Sequence, residues 1–490
     1  MKLKKILHGI NALVVSKKLL DEEVKDIKID SREVEVGDVF IALRGKHQDG
    51  NNFIEEAFAR GASAIIGECD YKNDRYIKVD NARKIYALAC KNFFKKCCDK
   101  MKIIGVTGTN GKTTVTSIIY QILQKTRKKV GIIGTFGAKW CENKKFLQTN
   151  MTTPDPYMLH KIFYKMFMSG CRYVVMEVSA HALFLDKIYD IRFEVGVLTN
   201  ITQDHLDYFG DMTSYALAKI KFFEEYEVKH KFVYGENKYC KAYNENSVAK
   251  CMTYGLKGCD IVAANIKSDL SGTTFKYVCK NNIFTVSTKL VGKYNVLNIE
   301  AAIAVCRAIG VKNYEIVSAL KTIKSIAGRF NVIKNGKGYV IIDYAHTPDG
   351  LENILKSIKE ITSQKVVVIF GCGGDRDKSK RHTMGEIALR LADEVIVTSD
   401  NPRTEDPEKI IDDVLSGDNR AIKITSRKEA IEYGIKNFSN GEVILIAGKG
   451  AENYQEICGE KIPFNDTNIV KNYIKNSKND NFFTKKQQIS

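Results

Sequence analysis

The 490-residue sequence has no uncharged apolar run that approaches the roughly 20 residues of a membrane-spanning helix. Residues 1–7 resemble the beginning of a secretion signal, but His8, Gly9 and Asn11 interrupt the apolar region. No small-residue cleavage site follows. These absences argue against an integral membrane protein and a secreted one, so we expect a cytoplasmic protein with no membrane insertion.

Metal-binding and nucleic-acid-binding patterns are also missing. None of the 13 cysteines forms a Cys-x-x-Cys pair, and the sequence has no internal repeat. The net charge of +18 comes from lysines spread along the chain, without a basic stretch interleaved with aromatic residues. We therefore expect no disulfide scaffold and no nucleic-acid partner.

The composition is that of a multidomain globular enzyme. The length predicts two to four domains, and 44% hydrophobic with 27% charged residues is typical of a globular protein. A charged stretch at residues 95–100 precedes the first of two series of alternating strands and helices. This alternation predicts an α/β protein with parallel sheets, divided at 1–98, 99–329 and 330–490.

The most informative motif is GVTGTNGKTTVT at residues 105–116. An apolar strand at 102–106 leads into a glycine-rich turn, and a helical pattern follows at 114–124. A helix N-terminus after such a turn binds anions, Lys112 can reach terminal phosphates, and the Thr113 hydroxyl can bind Mg²⁺. Five residues separate Gly105 from Gly111, one more than in the standard motif. The motif favours a nucleoside triphosphate site over an ordinary strand-to-helix turn.

Three further residues suggest metal chemistry or simpler roles. Glu177 ends an apolar strand and could hold Mg²⁺, although a solvated acid at a strand end is the alternative. His205 follows another strand and could bind a second metal ion or be structural. Lys219 lies in a helical segment and, taken alone, is most simply a surface cation.

Polar loops follow the strands of the second series. Arg329 and Asp343 flank the second domain boundary and suit the phosphates and ribose of a nucleotide, with an interdomain ion pair as the alternative. The loops at 371–378, 399–403 and 447–452 follow successive strands, so they could form one small-molecule site. Arg376 and Arg403 could each bind a carboxylate through two hydrogen bonds, or be plain surface charges.

Taken in order, these motifs resemble the Mur ligase family of amide-forming ATPases over residues 28 to about 470. The resemblance implies an N-terminal UDP-binding α/β domain, a central P-loop ATPase domain with a parallel sheet, and a C-terminal Rossmann-like domain that binds an amino acid. DSR at 30–32 and GKHQDG at 45–50 match motifs of the first domain. The resemblance also implies ATP as cosubstrate, Mg²⁺ as the metal ion, and a monomer.

The resemblance assigns the site residues in four groups. The ATP-binding residues would be Gly108, Thr109, Asn110, Gly111, Lys112, Thr113, Thr114, Asn298, Arg329, Asp343 and His346. The catalytic residues would be Lys112, Glu177, His205 and Lys219, and the metal ligands Thr113, Glu177, His205 and Lys219 as a carbamate. The muramoyl dipeptide would contact Ser31, Thr152, Thr153, Ser179, Lys187 and carbamylated Lys219. The incoming amino acid would contact Arg376, Asp400, Asn401, Pro402, Arg403, Gly448 and Glu452.

The tetrapeptide DNPR at 400–403 marks, within this family, the addition of meso-diaminopimelate to UDP-MurNAc-L-Ala-D-Glu. Diaminopimelate carries a second carboxylate that lysine lacks, and Arg403 can bind it through two hydrogen bonds. Three alternatives remain: a lysine-adding synthetase, a folylpolyglutamate synthase-like ligase, and a nucleotide-gated binding protein without turnover. The sequence departs from the family at Lys187, where relatives often have Arg, and at Ala451, where His is usual.

Overall fold

The computed structural model describes residues 1–487 except 11–17, 46–47, 141–145, 150, 248–249, 281, 324–325, 327 and 439–440. The chain forms two compact units. The first contains Met1–Gly108, Leu123–Leu198 and Leu217–Phe232, and the second contains Thr109–Ile122, Thr199–Ala216 and Val233–Ser490. No described helix is both long and apolar enough to cross a bilayer.

The secondary structure alternates between strands and helices along most of the described chain. The strands are β1 (Ile27–Lys28), β2 (Val39–Ile41), β3 (Ala64–Gly67), β4 (Tyr76–Lys78), β5 (Lys102–Thr107), β6 (Val130–Gly134), β7 (Gly137–Trp140), β8 (Tyr173–Glu177), β9 (Phe193–Leu198), β10 (Val228–Tyr234), β11 (Met252–Gly255), β12 (Ile261–Asp269), β13 (Gly272–Cys279), β14 (Asn282–Thr288), β15 (Asn331–Asn335), β16 (Gly338–Asp343), β17 (Val366–Phe370), β18 (Glu394–Val397), β19 (Ile422–Lys423), β20 (Val443–Ala447), β21 (Tyr454–Ile457) and β22 (Glu460–Pro463). The helices are α1 (Leu3–Ile6), α2 (Ile54–Ala59), α3 (Ala82–Phe93), α4 (Lys112–Lys125), α5 (Pro156–Met168), α6 (Ala180–Phe184), α7 (Leu206–Phe209), α8 (Met212–Glu224), α9 (Lys238–Asn246), α10 (Lys293–Ala308), α11 (Asn313–Thr322), α12 (Pro348–Ile361), α13 (Ser379–Leu391), α14 (Pro407–Leu415), α15 (Arg427–Asn437) and α16 (Asp466–Gln487).

Two sheets build the first unit. Strands β1, β2, β3 and β4 are parallel neighbours in that order. Alternate residues of β2 enter different cores, with Val39 and Ile41 on one face and Phe40 on the other. In the second sheet, β9, β5, β8 and β6 are parallel neighbours, and β7 pairs antiparallel with β6. Because β5 and β8 are parallel, their polar carboxyl ends lie at the same edge.

The second unit contains a six-stranded sheet in the order β15-β16-β20-β17-β18-β19, parallel except for β15. Its strands are apolar on both faces, as expected for a sheet covered by helices on both sides. Ile341 and Leu445 pack with α12, α13 and α14, while Ile342 and Ile444 pack with α15 and α16. The loops after β16, β17, β18 and β20 leave the sheet at its carboxyl edge.

One prediction needs correction. The alternation within 99–329 predicts parallel strands, but β12, β13 and β14 pair antiparallel. In β13 every second residue is buried, including Phe275 and Tyr277. This burial on one face is typical of antiparallel sheets, and the period of two in the sequence was the signal for it.

Candidate active site

The glycine-rich turn between β5 and α4 is held in a single conformation. Gly111 has a φ of +87°, and a Cβ there would lie 2.6 Å from Oδ1 of Asn298, so a larger residue would clash. The backbone N–H of Asn110 donates to Asn200 Oδ1 at 2.9 Å, and that of Thr109 donates to the Asn200 carbonyl at 2.9 Å. Contacts within the protein therefore hold the turn in this conformation without a ligand.

Helix α4 begins at Lys112, directly after this turn. The Lys112 ammonium folds back and donates to the Thr109 carbonyl at 2.8 Å. Arg329 Nη2 donates to the Thr113 hydroxyl at 3.4 Å, and Thr113 is buried. A helix N-terminus with two adjacent cations is an anion site, so this end of α4 suits a triphosphate.

A cavity of about 370 Å³ opens beside the turn within the second unit. It brings together Asn110, Gly111, Thr114, Asn298, Arg329 and Asp343 from the predicted ATP-binding group. Tyr234, Tyr254 and Tyr294 also line it, and sequence reasoning missed them because tyrosines lack a motif there. Within the described residues, the buried Arg329 Nε has no hydrogen-bond partner, which leaves a donor for an anionic ligand.

Asp343 is the last residue of β16 and lines this cavity, whereas His346 lies three residues further on and is not part of the lining. Burial raises the pKa of Asp343, although Arg329 and the backbone N–H groups of Phe330 and Ala345 oppose the shift. Both N–H groups donate to its carboxylate at 2.8 Å. Burial and Lys380 lower the pKa of His346, whose Nδ1 lies 2.8 Å from the Tyr344 carbonyl. The lowered pKa favours the neutral imidazole.

His205 adopts a left-handed backbone conformation, with a φ of +57°, at the start of α7. Its Nε2 lies 3.4 Å from Asp204 Oδ2, and its side chain is 43% exposed. Burial of Asp204 disfavours its charge, but His205, His346, Lys380 and Lys112 outweigh it and lower the pKa of Asp204. Asp204 therefore stays ionised and orients the imidazole.

Glu177 and Lys219 are both buried in the first unit. Glu177 accepts hydrogen bonds from the Thr135 N–H at 2.9 Å and from its hydroxyl at 3.1 Å, and is 2% exposed. Lys219 is 1% exposed and donates to the Gly108 carbonyl at 2.9 Å. The alternatives of a solvated acid for Glu177 and a surface cation for Lys219 are wrong, because neither side chain reaches bulk solvent.

The donor chemistry fits magnesium. Thr113 and Glu177 are each predicted as a ligand, and each carries side-chain oxygen, the donor type that Mg²⁺ prefers. Among the described residues, no three His, Cys, Asp or Glu side chains gather into a cage. Mg²⁺ usually keeps several waters and takes one or two protein oxygens together with substrate phosphates, so such a sparse donor set suits it.

A second cavity, of about 590 Å³, lies within the first unit. Its lining includes Ser31 and Lys187, together with parts of both N-terminal motifs. Ser31 donates to Glu56 at 2.9 Å, and Lys187 forms an ion pair with Asp155 at 2.7 Å. Lys46 and His47 of the second motif lie outside the described residues.

Thr152, Thr153 and Ser179 do not belong to the lining of this cavity but to the network around Glu177. The Thr153 hydroxyl donates to the Glu177 carbonyl at 2.9 Å and accepts from the Ser179 N–H at 3.0 Å. The Thr152 hydroxyl lies 3.3 Å from that of Thr135, which also contacts Glu177. The three predicted muramoyl contacts thus surround the predicted metal ligand.

The loops after β17, β18 and β20 meet at the carboxyl edge of the six-stranded sheet. Arg403 donates from Nη1 to the Gly374 carbonyl at 2.6 Å, and its Nε lies 3.2 Å from Glu456 Oε2. Asn401 donates to Glu452 at 3.1 Å. A Cβ at Gly448 would lie 2.7 Å from Oδ2 of Asp400, so glycine is needed there. Pro402 is buried, while Arg376 is exposed on the loop after β17.

Sequence reasoning missed two buried cations at this edge. Arg427 makes a two-point ion pair with Asp466 at 2.9 and 2.8 Å, and both side chains are fully buried. Lys449 is also fully buried and contacts Asn401 and Glu452. Arg427 gave no sequence signal. Lys449 lies between two glycines in the loop after β20, and that position in the sequence could have marked it as a candidate site residue.

Family models match three consecutive parts of this chain. A model described as "Mur ligase family, catalytic domain" matches residues 23–101, "Mur ligase middle domain" matches 106–306, and "Mur ligase, glutamate ligase domain" matches 328–450. The chain belongs to the Mur ligase family. The predicted α/β fold with three family domains is confirmed, while the boundaries 1–98, 99–329 and 330–490 stay predictions.

Several relatives that match over most of the chain carry the same name. The chain is 40% identical over 454 residues to the UDP-N-acetylmuramoyl-L-alanyl-D-glutamate--2,6-diaminopimelate ligase of Aquifex aeolicus, covering 92% of this chain and 93% of that protein. It is 40% identical over 467 residues to the ligase of that name from Geobacillus kaustophilus, covering 92% and 95%. A solved structure of a ligase with this name matches with a TM-score of 0.70 and 31% identity, over 97% of this chain and 99% of that one.

Proposed function

We propose that this chain is an ATP-dependent ligase that adds meso-diaminopimelate to the D-Glu γ-carboxylate of UDP-MurNAc-L-Ala-D-Glu during synthesis of the peptidoglycan precursor in the cytoplasm. The observation that carries the proposal is the preorganised turn with its adjoining cavity, where Asn298, Arg329 and Asp343 accompany the phosphate-binding residues. The relatives named above, at 40% identity over most of the chain, support the same reaction.

A carboxylate is a poor electrophile, so the reaction needs an activation step. One γ-carboxylate oxygen of D-Glu attacks the γ-phosphorus of ATP, the bond to the bridging oxygen breaks, and ADP leaves. The amine of diaminopimelate, having lost its proton, then attacks the acyl phosphate carbonyl, and phosphate leaves as the amide forms. Charge repulsion between the carboxylate and triphosphate is the main obstacle.

Positive charges at and beside the start of α4 would reduce this repulsion. Lys112 exchanges its contact with the Thr109 carbonyl for the β- and γ-phosphates, and Arg329 supplies a second cation. Thr113, Glu177, His205 and carbamylated Lys219 are the proposed ligands of Mg²⁺, and a bound ion would neutralise phosphate charge. The neutral His346 and buried Asp343 are proposed to contact the nucleoside.

Lys219 is proposed to act as a carbamate. Reaction of its amine with carbon dioxide forms an N–C bond and releases a proton, which converts a cation into a carboxylate-like anion. The side chain is buried and ends 2.9 Å from the Gly108 carbonyl, at the first glycine of the turn. An anion there would supply oxygen ligands for Mg²⁺, whereas an ammonium would repel the metal ion.

The 590 Å³ cavity is proposed to hold the UDP part of the muramoyl substrate, with contacts from Ser31 and Lys187. Thr152, Thr153 and Ser179 lie around Glu177, so they are proposed to hold the peptide end near the reacting carboxylate. The family resemblance leads us to expect an arginine at position 187. Lys187 forms a single-point ion pair with Asp155, where an arginine could make two hydrogen bonds.

The loops at the carboxyl edge of the six-stranded sheet are proposed to bind diaminopimelate through Arg376, Asp400, Asn401, Pro402, Arg403, Gly448 and Glu452. Glu456 and the Gly374 carbonyl fix the Arg403 guanidinium, which leaves its remaining N–H groups for the far carboxylate. Lysine would leave those N–H groups unpaired, and such a mismatch gives strong discrimination.

Product analysis tests the proposal directly. UDP-MurNAc-L-Ala-D-Glu and Mg-ATP are incubated with the protein and either meso-diaminopimelate or lysine, and products are identified by mass. We expect tripeptide product with diaminopimelate, with ADP and phosphate formed only when all three substrates are present. Equal use of lysine would favour the lysine-adding synthetase, and glutamate addition to a folate would favour the folylpolyglutamate synthase-like ligase. Binding without ADP formation would favour a nucleotide-gated binding protein.

The protein is further proposed to act as a monomer. Sedimentation velocity at working concentration, with and without substrates, measures the mass of the species present. A single species near the 55.2 kDa chain mass is the expected result. A concentration-independent dimer would contradict it.

A further inference from the structure

The Lys449 side chain is fully buried in the loop that follows β20. A buried ammonium needs hydrogen-bonding partners, because its loss of hydration is otherwise strongly unfavourable. Its Nζ lies 2.7 Å from Asn401 Oδ1 and 3.0 Å from Glu452 Oε2. Lys449 therefore directly contacts two residues assigned to the diaminopimelate site, although it is not assigned to that site itself.

The hydrogen bonds of Asn401 fix the direction of its amide. Oδ1 accepts from Lys449 Nζ at 2.7 Å and from the backbone N–H of Glu456 at 2.9 Å. The Nδ2 group then faces the other way and donates to Glu452 Oε2 at 3.1 Å. A flipped amide would turn its NH₂ group toward the ammonium, so Lys449 excludes that orientation.

Lys449 also fixes the carboxylate of Glu452. Oε2 accepts from both Asn401 and Lys449, while Oε1 accepts from the Tyr344 hydroxyl at 3.4 Å. The two oxygens therefore differ in their capacity to accept a further hydrogen bond. Oε2 already accepts two hydrogen bonds within the protein, whereas Oε1 accepts one long hydrogen bond. A ligand N–H can therefore bind Oε1 more readily than Oε2.

The local backbone makes this arrangement possible. Gly448 and Gly450 flank the lysine with φ values of +114° and +55°, and the Glu452 N–H donates to the Lys449 carbonyl at 2.9 Å. This turn directs the lysine inward and returns the chain so that Glu452 lies beside its ammonium. The aromatic ring of Tyr454 lies 5.7 Å from Nζ and adds a cation–π contact.

We propose that Lys449 is a positioning residue of the amino-acid pocket: its buried ammonium sets the orientations of the Asn401 amide and the Glu452 carboxylate, and so contributes to selection of a diamino acid whose far end carries a carboxylate as well as an amine. The inference rests on the proposed function. It adds a residue that acts through two others and does not touch the reacting atoms.

Lys449→Met removes the charge while keeping an unbranched side chain of similar length. We expect the KM for meso-diaminopimelate to rise about ten- to a hundredfold, because two charge-assisted hydrogen bonds are lost and the amide can flip. The KM values for ATP and for UDP-MurNAc-L-Ala-D-Glu should change by less than about twofold, because Lys449 contacts neither predicted site. An unchanged KM for diaminopimelate in a folded variant would overturn the inference.

Lys91→Met is the matched control for removal of a buried charge. Lys91 is 3% exposed and pairs with Asp99 and Asp190 in the first unit. We expect it to lower the melting temperature at least as much as Lys449→Met but to leave the KM for diaminopimelate unchanged. An equal rise of that KM in both variants would mean that Lys449 acts only through stability, and would overturn the inference.

If the single variant fails to fold, the double variant Lys449→Met/Glu452→Gln removes one positive and one negative charge together and leaves the net charge of the pocket unchanged. We expect the double variant to fold and to lose at least as much selectivity for diaminopimelate over lysine as Glu452→Gln alone. Preserved selectivity in the double variant would refute the positioning role. Absence of tripeptide product with the unmodified protein would instead refute the proposed function, so the two failures are distinguishable.

Discussion

Asn110 donates a hydrogen bond from Nδ2 to Asp349 Oδ2 at 2.9 Å, which links the phosphate-binding turn to the first turn of helix α12. The Thr202 hydroxyl donates to the same oxygen at 3.4 Å. Burial raises the pKa of Asp349, and these two donors together with Asn353 only partly oppose the shift. The hydrogen bond between Asn110 and Asp349 therefore depends on a buried carboxyl group whose ionised form is unfavourable in the folded protein.

We expect Asp349→Asn to stabilise the protein relative to wild type as the pH rises. A raised pKa in the folded state contributes stability below the ordinary value of 3.8, and this contribution is lost as the pH passes the folded-state pKa. Asparagine never ionises and can still accept from Asn110. Melting temperatures of both proteins between pH 3.5 and about pH 8 would measure the difference, which should grow with pH.

Asp204→Asn should show the opposite sign. Although Asp204 is buried, neighbouring cations lower its pKa, so it contributes stability above its ordinary value of 3.8 and loses it as the pH falls through the folded-state pKa. The variant should melt below wild type at pH 7, and the gap should close on acidification. The same pH dependence in both variants would contradict the assigned directions of the pKa shifts.

Lys112→Ala should abolish ligation and leave the fold intact. In the structure the ammonium donates to the Thr109 carbonyl, and loss of that hydrogen bond costs about 1 kcal/mol, whereas the proposed ATP site would lose its main cation for the γ-phosphate. Formation of ADP measures the reaction, and the melting temperature reports folding. Lys125→Ala, at the exposed far end of the same helix, should retain the full rate. A full-rate Lys112→Ala variant would remove the ATP site from this turn.

Lys219→Ala should abolish both ligation and a carbamate signal. Protein equilibrated with ¹³C-bicarbonate should show a carbamate carbon resonance that is absent from the variant. The signal should increase with pH, because only the neutral amine reacts with carbon dioxide. Lys221→Ala is a suitable control, since Lys221 lies on the same helix α8 and pairs with Asp186. A resonance that survives in Lys219→Ala would assign the carbamate elsewhere.

Arg403→Ala should reduce kcat/KM for meso-diaminopimelate by at least about a hundredfold, because the far carboxylate loses its fixed, charged donors. The low activity with lysine should change much less, so the selectivity ratio should collapse. Arg420→Ala removes an exposed arginine paired with Asp418 and should leave both values unchanged. If kcat/KM falls equally for diaminopimelate and for lysine, Arg403 stabilises the loop and does not bind the far carboxylate.

The phosphate-binding turn illustrates what was predictable. The strand expected at 102–106 is β5 (Lys102–Thr107), and the helix expected at 114–124 is α4 (Lys112–Lys125). Both follow from local chemistry, since an apolar run favours a buried strand and glycines permit the turn. The loops after β16, β17, β18 and β20 were also found from sequence, because polar residues follow each apolar strand.

Burial was not predictable from local patterns. Glu177 and Lys219 each allowed a solvent-exposed interpretation, yet both are almost fully buried. The antiparallel pairing of β12, β13 and β14 was not predicted. The strand–helix alternation of the domain favours parallel strands, whereas these three segments have the hydrophobic period of two that is typical of antiparallel strands. For Glu177 and Lys219 the deciding contacts come from residues distant in the chain, whereas β12, β13 and β14 are consecutive strands.

The sequence by itself determined the family, the α/β fold, the glycine-rich turn between β5 and α4 and the residue types available to the chemistry, because these depend on short motifs and on periodicity. Only the tertiary structure decided which of those residues meet. The orientation of Asn401 by Lys449, 48 positions away, and the hydrogen bond between Asn110 and Asp349, 239 positions away, are examples. Such contacts depend on strand order and loop closure, which bring distant segments to one edge of a sheet and which no local pattern records.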